Sequence, residues 1–237
     1  FGNTLEDIKS QGYKIHHELP IKVDFSEKNK QVKSIGRYIL VLTELFEKDR
    51  PDIVLDQGDR GITLAAAIVG THLLIPVFHM HGGEVSKTVD EYTRHAITQY
   101  SHIHFPATKK SAERLKLLGQ EEWRIHLTGS TAVDSILNQE FISKETLERK
   151  LGLNFNEKTA VLLQHPVSEE KRFNGINFDK TLNVLMKSDV GKIVIIYPNS
   201  DEGSEEINLS EDKITIKNWL GLALVLASII GLGFVNP

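Results

Sequence analysis

Acidic residues, histidines and cations follow several short apolar runs of the sequence, at the points where the chain would leave a β-strand. Carboxylates and imidazoles can transfer protons near neutral pH. Ligands of open α/β sheets bind beyond the carboxyl ends of the strands, so residues at these positions are expected to share one rim. The residues concerned are Asp59, Arg60, His79, His81, Glu84, His165, Asn199 and Asp201. Their common location predicts a functional site.

Each of these residues also has a purely structural interpretation. Asp59 fits the N-cap of the helix that would follow it, and the segment 199–203 fits an ordinary turn. The two His-x-His segments, at 79–81 and 102–104, would place both rings of a pair on one strand face, as metal ligands require. Zinc needs three or four such donors, so hydrogen bonding or proton transfer is the favoured role and no metal is predicted.

The sequence lacks the motifs of several enzyme classes. His-Gly-Gly at 81–83 resembles the oxyanion loop of esterases, but there is no Gly-x-Ser-x-Gly elbow, which excludes a serine hydrolase. Neither Gly-x-Gly-x-x-Gly nor a Walker P-loop occurs, so dinucleotide and ATP chemistry lack their usual signals. The absence of cysteine excludes a thiol nucleophile, a Cys-zinc site and a disulfide framework.

The elements that must position these residues alternate along the chain. Short apolar runs predict strands at 52–56, 75–80, 102–105, 124–127, 159–164 and 192–197. Helical patterns occur at 63–68, 109–118, 144–150 and 178–186. Strands that alternate with helices indicate βαβ units and a parallel sheet.

Composition favours a globular protein. The 237 residues are 40% hydrophobic and 25% charged, which argues against disorder, and a net charge of −4 gives no basic footprint for nucleic acid. The change near 132–150 to a charged helical stretch predicts a domain boundary. A reducing, cytoplasmic location is expected, and the start at Phe1 suggests that a segment precedes it.

The C-terminal segment 219–235 contains no charged residue and approaches the length of a membrane span. Glycines at 221, 231 and 233 interrupt it. The segment is therefore interpreted as buried core of a soluble domain rather than as a membrane helix.

Several segments, in their order along the chain, resemble the UDP-N-acetylglucosamine 2-epimerases. The most specific match is the segment 90–105, which begins Asp-Glu-Tyr-Thr-Arg-His-Ala-Ile-Thr and ends Ser-His-Ile-His-Phe. It resembles the hydrolysing branch, which feeds sialic acid and related nonulosonic acid synthesis. Further matches lie at 1–4, 51–60, 79–86, 127–130, 164–166 and 197–203.

The resemblance implies an α/β fold of the GT-B type, with two Rossmann-like domains, parallel sheets and a UDP-sugar in the interdomain cleft. Residues 1–140 would form the N-terminal Rossmann-like domain without its first strand. Residues 141–237 would form an incomplete C-terminal nucleotide-binding domain, without the family's loop for uracil, ribose and phosphate.

The implied reaction is elimination of UDP across C1–C2, which gives a 2-acetamidoglucal intermediate. Water then adds to C1 while C2 is protonated from the opposite face, releasing N-acetylmannosamine. Asp59 and Glu91 match acidic positions assigned to this proton chemistry, and His81 occupies the position of a third carboxylate. Glu84, close to His81, completes the predicted catalytic group.

The resemblance also implies contacts with the substrate. His165 matches the histidine that touches the nucleotide phosphate, and Arg60 and Arg94 are cations near the same site. With them, His79, Asn199 and Asp201 complete the predicted substrate-binding group. No cofactor is expected, the partner is a UDP-sugar rather than nucleic acid or membrane, and a homo-oligomer, dimeric or tetrameric, is expected.

Four alternatives remain open at the level of sequence. A non-hydrolysing epimerase would interconvert UDP-GlcNAc and UDP-ManNAc. A histidine at the position of His81 also occurs in relatives thought to act on UDP-diacetylbacillosamine, so that sugar is a second candidate substrate. A nucleotide-sugar-binding protein without activity, or a glycosyltransferase, would share the architecture.

Overall fold

A computed structural model describes residues 4–19, 21, 29–86, 88–196, 198, 203–204, 206–207 and 222–223 of the chain. The chain divides into two compact units. One is His17–Gln139, and the other combines Phe1–His16 with Glu140–Pro237. The division after residue 139 lies inside the stretch where the composition changes, and residues 1–16 belong to the second unit rather than to the first.

Helices and short strands alternate through the described residues, as βαβ units require. In chain order they are α1 Thr4–Ser10, α2 Lys30–Lys48, β1 Val54–Gln57, α3 Gly61–His72, β2 Val77–Met80, α4 Val89–Tyr100, β3 Ile103–Phe105, α5 Lys109–Leu117, α6 Thr131–Asn138, α7 Lys144–Leu151, β4 Thr159–Leu163, α8 Asn174–Met186, β5 Lys192–Ile196 and β6 Leu222–Ala223. Two 3-10 turns lie at Glu122–Arg124 and Ser168–Phe173.

The unit His17–Gln139 is built on a parallel sheet in the order β1-β2-β3. On one face of this sheet, Val54 and Val77 pack closely against α3, where a side chain larger than that of Gly70 would collide with both valines. Helix α2 packs on α3 through the apolar stripe that includes Leu42. Because all three strands run in the same direction, their carboxyl ends meet at one edge of the sheet.

The other unit contains a second parallel sheet, in the order β4-β5-β6. Its core combines Phe178 and Leu182 of α8 with Ile193 and Ile195 of β5 and with Ile207. Thr159–Leu163 and Lys192–Ile196 pair in register along their whole length. As in the first unit, a helix packs its apolar side chains against parallel apolar strands.

The predicted α/β class with parallel sheets is confirmed, and five of the six predicted strands are present with slightly different bounds. The strand predicted at 124–127 is wrong. This segment follows a 3-10 turn, and Ile125 makes only an isolated bridge to His104. Helices α2 and α4 are not among the predicted elements.

The segment predicted as buried core at 219–235 lies outside the described residues, apart from the short strand β6. Within the part of the chain that the structure describes, none of the helices combines the length and apolar character needed to cross a membrane.

Candidate active site

The loop after β1 carries Asp59 at the carboxyl edge of the first sheet. Gly58 adopts a left-handed conformation, with φ of 79°, and its N–H donates to the carbonyl oxygen of Met80 at 3.1 Å. Arg60 occupies the N-cap position of α3 and makes no side-chain cap. Asp59 lies one residue earlier, and its carboxylate accepts a hydrogen bond from Arg94. The interpretation of Asp59 as an N-cap is therefore wrong.

Arg94 joins helix α4 to this loop through a half-buried ion pair. Its Nη2 donates to Oδ2 of Asp59, and the side chains are 12% and 19% exposed. Burial lowers the pKa of the Arg94 guanidinium, which nevertheless stays charged in any protein environment. The other two nitrogens, Nε and Nη1, are buried and have no partner among the described residues.

Glu91 lies one turn before Arg94, in the first turn of α4. The backbone N–H of Ser86 donates to its Oε2 at 3.0 Å, and the helix dipole favours an acidic residue at this end. One turn later, His95 places Nε2 at 3.8 Å from Oε1 of Glu91, while its Nδ1 is buried without a described partner. Both carboxylates predicted for proton chemistry are therefore connected to helix α4. Glu91 belongs to this helix, and Asp59 accepts a hydrogen bond from its Arg94.

His81 begins the loop that follows β2. Its φ of 62° is left-handed, and its N–H donates to the carbonyl oxygen of Phe105 at 3.0 Å. Nε2 of His81 is buried without a partner among the described residues. The structure thus places His81 at the carboxyl edge of the sheet, on a backbone conformation that histidine adopts more readily than most residues.

Glu84 is bound to the neighbouring helix. Its Oε1 accepts a hydrogen bond from the hydroxyl of Ser111 in the first turn of α5. Arg114 donates to the carbonyl oxygen of Gly83, and a side chain at residue 83 would collide with the Ser111 carbonyl. These contacts fasten the loop to α5, and the predicted catalytic role of Glu84 remains a prediction.

His79 is fully buried beneath the sheet edge. Its Nε2 lies 2.8 Å from the carbonyl oxygen of Gly58, and its Nδ1 lies 3.4 Å from the hydroxyl of Thr98 on α4. An imidazole with no exposed surface cannot touch a substrate in this structure. The predicted substrate-binding role of His79 is replaced by a contact with the loop that carries Asp59.

Three titratable side chains form a row across one face of the first sheet, with one residue on each of its three strands. Asp56, His79 and His104 are register partners on β1, β2 and β3, and all three are buried. Burial lowers the pKa of both histidines to about 4 and raises that of Asp56 to about 7. Among the described residues, no group of three His, Asp or Glu side chains has the arrangement of a metal site.

Four further residues were predicted to contact the substrate. Arg60 is exposed at the start of α3, and His165 is exposed just after β4 in the second unit. Asn199 and Asp201 lie outside the described residues. Their predicted contacts with substrate remain predictions.

Sequence reasoning missed Thr98, His95 and Ser111. Thr98 follows Arg94 by four residues and Glu91 by seven, so the three share one face of α4. The spacing of Glu91, Arg94 and Ile97 is the sequence signal for this helix, and it also predicts the face on which Thr98 lies. No comparable local signal marks Ser111, because its partner Glu84 is 27 residues away.

The chain has two α/β units with parallel sheets, and one of them has carboxylates, imidazoles and an arginine at its carboxyl edge. Such a fold serves many activities, so it does not by itself identify one. The model of the UDP-N-acetylglucosamine 2-epimerase family matches residues 1–228. The chain therefore belongs to the UDP-N-acetylglucosamine 2-epimerase family.

Two curated relatives are similar to most of this chain, and both are named as hydrolysing epimerases. The chain is 38% identical over 207 residues to the UDP-N,N'-diacetylbacillosamine 2-epimerase (hydrolyzing) of Legionella pneumophila, covering 87% of the chain and 55% of the relative. It is 32% identical over 213 residues to the GDP/UDP-N,N'-diacetylbacillosamine 2-epimerase (hydrolyzing) of Campylobacter jejuni, covering 88% and 54%. The chain thus spans about half the length of the relatives it matches.

A solved structure gives the fold. The UDP-GlcNAc 2-epimerase of Neisseria meningitidis bound to UDP-GlcNAc matches 97% of this chain and 63% of its own, with a TM-score of 0.78 and 19% sequence identity. The predicted GT-B-like fold is confirmed by this similarity.

The buried row predicts how stability varies with pH. The neutral histidines stabilise the fold above pH 6.5, and this contribution is lost as pH falls toward 4. Asp56 acts in the opposite direction, because its raised pKa makes its contribution disappear as pH rises through about 7. Replacing Asp56 by Asn should therefore raise the free energy of unfolding at pH 8 by about 1–3 kcal/mol, and by almost nothing near pH 4.

Denaturant unfolding of the full-length protein from pH 4 to 8 measures this difference. Asp52→Asn is a matched control, because Asp52 is exposed just before the same strand. Parallel pH profiles for Asp56→Asn and the parent would show that the Asp56 carboxyl does not carry a raised pKa.

Proposed function

We propose that the full-length protein is a hydrolysing UDP-N-acetylglucosamine 2-epimerase, which converts UDP-GlcNAc and water to UDP and N-acetylmannosamine. One observation carries the proposal: Arg94 pairs with Asp59 and His95 lies beside Glu91, yet both side chains keep buried nitrogens without a partner among the described residues, as does His81. Buried polar atoms without partners are rare and call for an explanation, such as a ligand that supplies the missing oxygens.

The reaction needs a proton removed from C2 and another delivered to the opposite face. Asp59 and Glu91 suit this division, because one follows β1 and the other begins α4, so they approach from different elements. Positioned acids and bases contribute about 10²–10⁴-fold to such steps. The C1–O bond to UDP breaks as the C2 proton leaves, and water then adds across the resulting double bond.

The leaving diphosphate gains negative charge as the C1–O bond breaks. We assign its stabilisation to cationic or hydrogen-bonding groups, and the family resemblance of Gln164-His165-Pro166 supports His165 as one of them. Arg60, Asn199 and Asp201 remain proposed contacts of the nucleotide sugar. The buried nitrogens of Arg94 that lack a described partner suit an oxygen of the same ligand.

A second candidate substrate is UDP-N,N'-diacetylbacillosamine. It is favoured by the names of the two hydrolysing relatives, which are 38% and 32% identical to this chain. The elimination chemistry at C1 and C2 is the same for both sugars. The expected homo-oligomer, cytoplasmic location and role in sialic or nonulosonic acid synthesis are part of the same proposal.

Isotope labelling of both candidate reactions tests the function. In D2O, the full-length protein should release UDP and a free C2-epimerised sugar that carries one deuterium at C2, because that carbon loses and regains its proton. In heavy-oxygen water, the released UDP should contain no label, because the C1–O bond breaks rather than the P–O bond. Mass spectrometry of UDP and sugar measures both.

The alternatives give different products. UDP-ManNAc would indicate the non-hydrolysing reaction, and an acceptor requirement would indicate a glycosyltransferase. UDP-sugar binding without turnover would indicate a binding protein. Release of unepimerised sugar without deuterium would contradict elimination.

Replacing Asp59 by Asn should lower kcat by roughly 10²-fold or more, because the amide cannot accept the proton. The variant should remain folded, since Arg94 can still donate to the amide oxygen. The kcat from initial rates of UDP release and the melting temperature together measure this. Asp52→Asn, an exposed change at the opposite end of β1, is the control. A folded Asp59→Asn protein with parental kcat would remove Asp59 from the proton chemistry.

Replacing His81 by Glu places a carboxylate where the resemblance expects one. The change should shift the pH–rate profile and alter the ratio of kcat/KM for the two sugars by about 10-fold, since a carboxylate, which only accepts hydrogen bonds when ionised, replaces an imidazole. His81→Asn controls for the backbone, because Asn tolerates the left-handed conformation of residue 81. If the pH profile and sugar preference of His81→Glu match those of the parent, His81 has no part in proton transfer.

A further inference from the structure

The carbonyl group of Gly58 and the N–H group of Asp59 belong to one peptide unit, so whatever holds this carbonyl also orients Asp59. Nε2 of His79 lies 2.8 Å from the Gly58 oxygen. A carbonyl oxygen only accepts, so Nε2 must carry the proton and donate. The same loop is held by a second bond, in which the N–H of Gly58 donates to the carbonyl oxygen of Met80 at 3.1 Å.

The other ring nitrogen of His79 faces helix α4. With Nε2 protonated in the neutral ring, Nδ1 is an acceptor, and the hydroxyl of Thr98 lies 3.4 Å from it. Thr98 is itself fully buried. Burial lowers the pKa of His79 to about 4, which keeps the ring neutral and preserves this division between donor and acceptor near neutral pH.

Two links therefore join α4 to the loop after β1. On the outer side, Arg94 pairs with the Asp59 carboxylate. One turn further along the same helix, Thr98 meets His79, which meets Gly58. The first link acts on the side chain of Asp59, and the second acts on its backbone.

From these contacts we infer that His79 is a positioning residue for Asp59, holding the Gly58–Asp59 peptide in place relative to helix α4. The inference rests on the proposed function, in which Asp59 takes part in proton transfer. His79 itself touches no substrate, because its side chain is fully buried. Its expected effect is on the placement of the carboxylate, and a displacement of about 1 Å in a catalytic group can cost about 10²-fold in rate.

Asn and Gln at residue 79 both supply an amide N–H, but they place it at different distances from the backbone. The N–H of Gln lies about as far from the backbone as Nε2 of His, whereas the N–H of Asn is one bond shorter and matches Nδ1. His79→Asn should therefore lose the bond to Gly58 and lower kcat by about 10- to 100-fold with KM nearly unchanged. His79→Gln should keep the bond and recover most of the parental kcat. Both are assayed in the full-length protein by UDP release.

A second readout does not depend on turnover. In NMR spectra of nitrogen-15-labelled protein, the Asp59 amide resonance should move in His79→Asn and return toward its parental position in His79→Gln. The ring nitrogens of His79 in the parent should show the Nε2-protonated tautomer. If the parent released no UDP from either sugar, the proposed function would fail, yet these resonances would still decide whether His79 holds the Asp59 peptide.

Thr98→Val provides a test if His79→Asn does not fold, because valine has the shape of threonine without its hydroxyl. It should shift the His79 Nδ1 and Asp59 amide resonances. Thr71→Val is the matched control, since its hydroxyl donates to the Tyr100 carbonyl at 2.6 Å, away from the loop. The inference is overturned if the two His79 variants lose kcat equally. It is also overturned if His79→Asn raises KM alone, or if neither His79→Asn nor Thr98→Val moves the Asp59 resonance.

Discussion

The attachment of helix α4 to the loop after β1 is the constraint on which the geometry of the site depends. Arg94 reaches the Asp59 carboxylate from the helix, and Glu91 stands one turn before it. Because an α-helix repeats every 3.6 residues, fixing Arg94 at Asp59 also fixes the side of the helix from which Glu91 projects. The two carboxylates therefore keep a defined relation although 31 residues separate them in the sequence.

Buried polar side chains on one face of the first sheet occupy positions that apolar residues would normally fill. His79 and His104 each have a hydrogen-bond partner, Gly58 for one and Gln120 for the other, so their burial is partly compensated. Oδ2 of Asp56 has no partner among the described residues. Burial raises the pKa of Asp56 to about 7, so below that pH the carboxyl keeps its proton and no charge is buried. Within this row, His79 is the residue that contacts the loop carrying Asp59.

The strands were predictable because their signal is local. Apolar runs such as 75–80 and 192–197 are flanked by turn residues, and parallel strands buried on both faces need no alternation. Helix α2 was equally predictable, because Ile35, Ile39 and Leu42 form an apolar stripe at helical spacing. The strand predicted at 124–127 failed for a tertiary reason, since among the described residues this segment makes a single isolated bridge, to His104.

The site was predictable in location but not in the role of each residue. The carboxyl edge follows from the parallel topology alone, and Asp59 was placed there from the sequence. The roles of Glu84 and His79 depend on Ser111 and Gly58, which lie 27 and 21 residues away in the chain. Local spacing contains no information about such partners. A polar residue at a strand end can equally face the ligand or fasten the loop.

The two histidines at 79 and 81 show how backbone conformation separates these roles. On a regular strand, residues two apart project to the same face. The left-handed φ of His81 breaks that alternation immediately after β2, so His79 stays beneath the sheet edge while His81 begins the loop. His79 is instead the register partner of His104 on the neighbouring strand. The His-x-His pattern therefore divides into one residue that contacts the loop carrying Asp59 and one that begins the loop after β2, rather than two residues on one strand face, as a metal-binding pair would require.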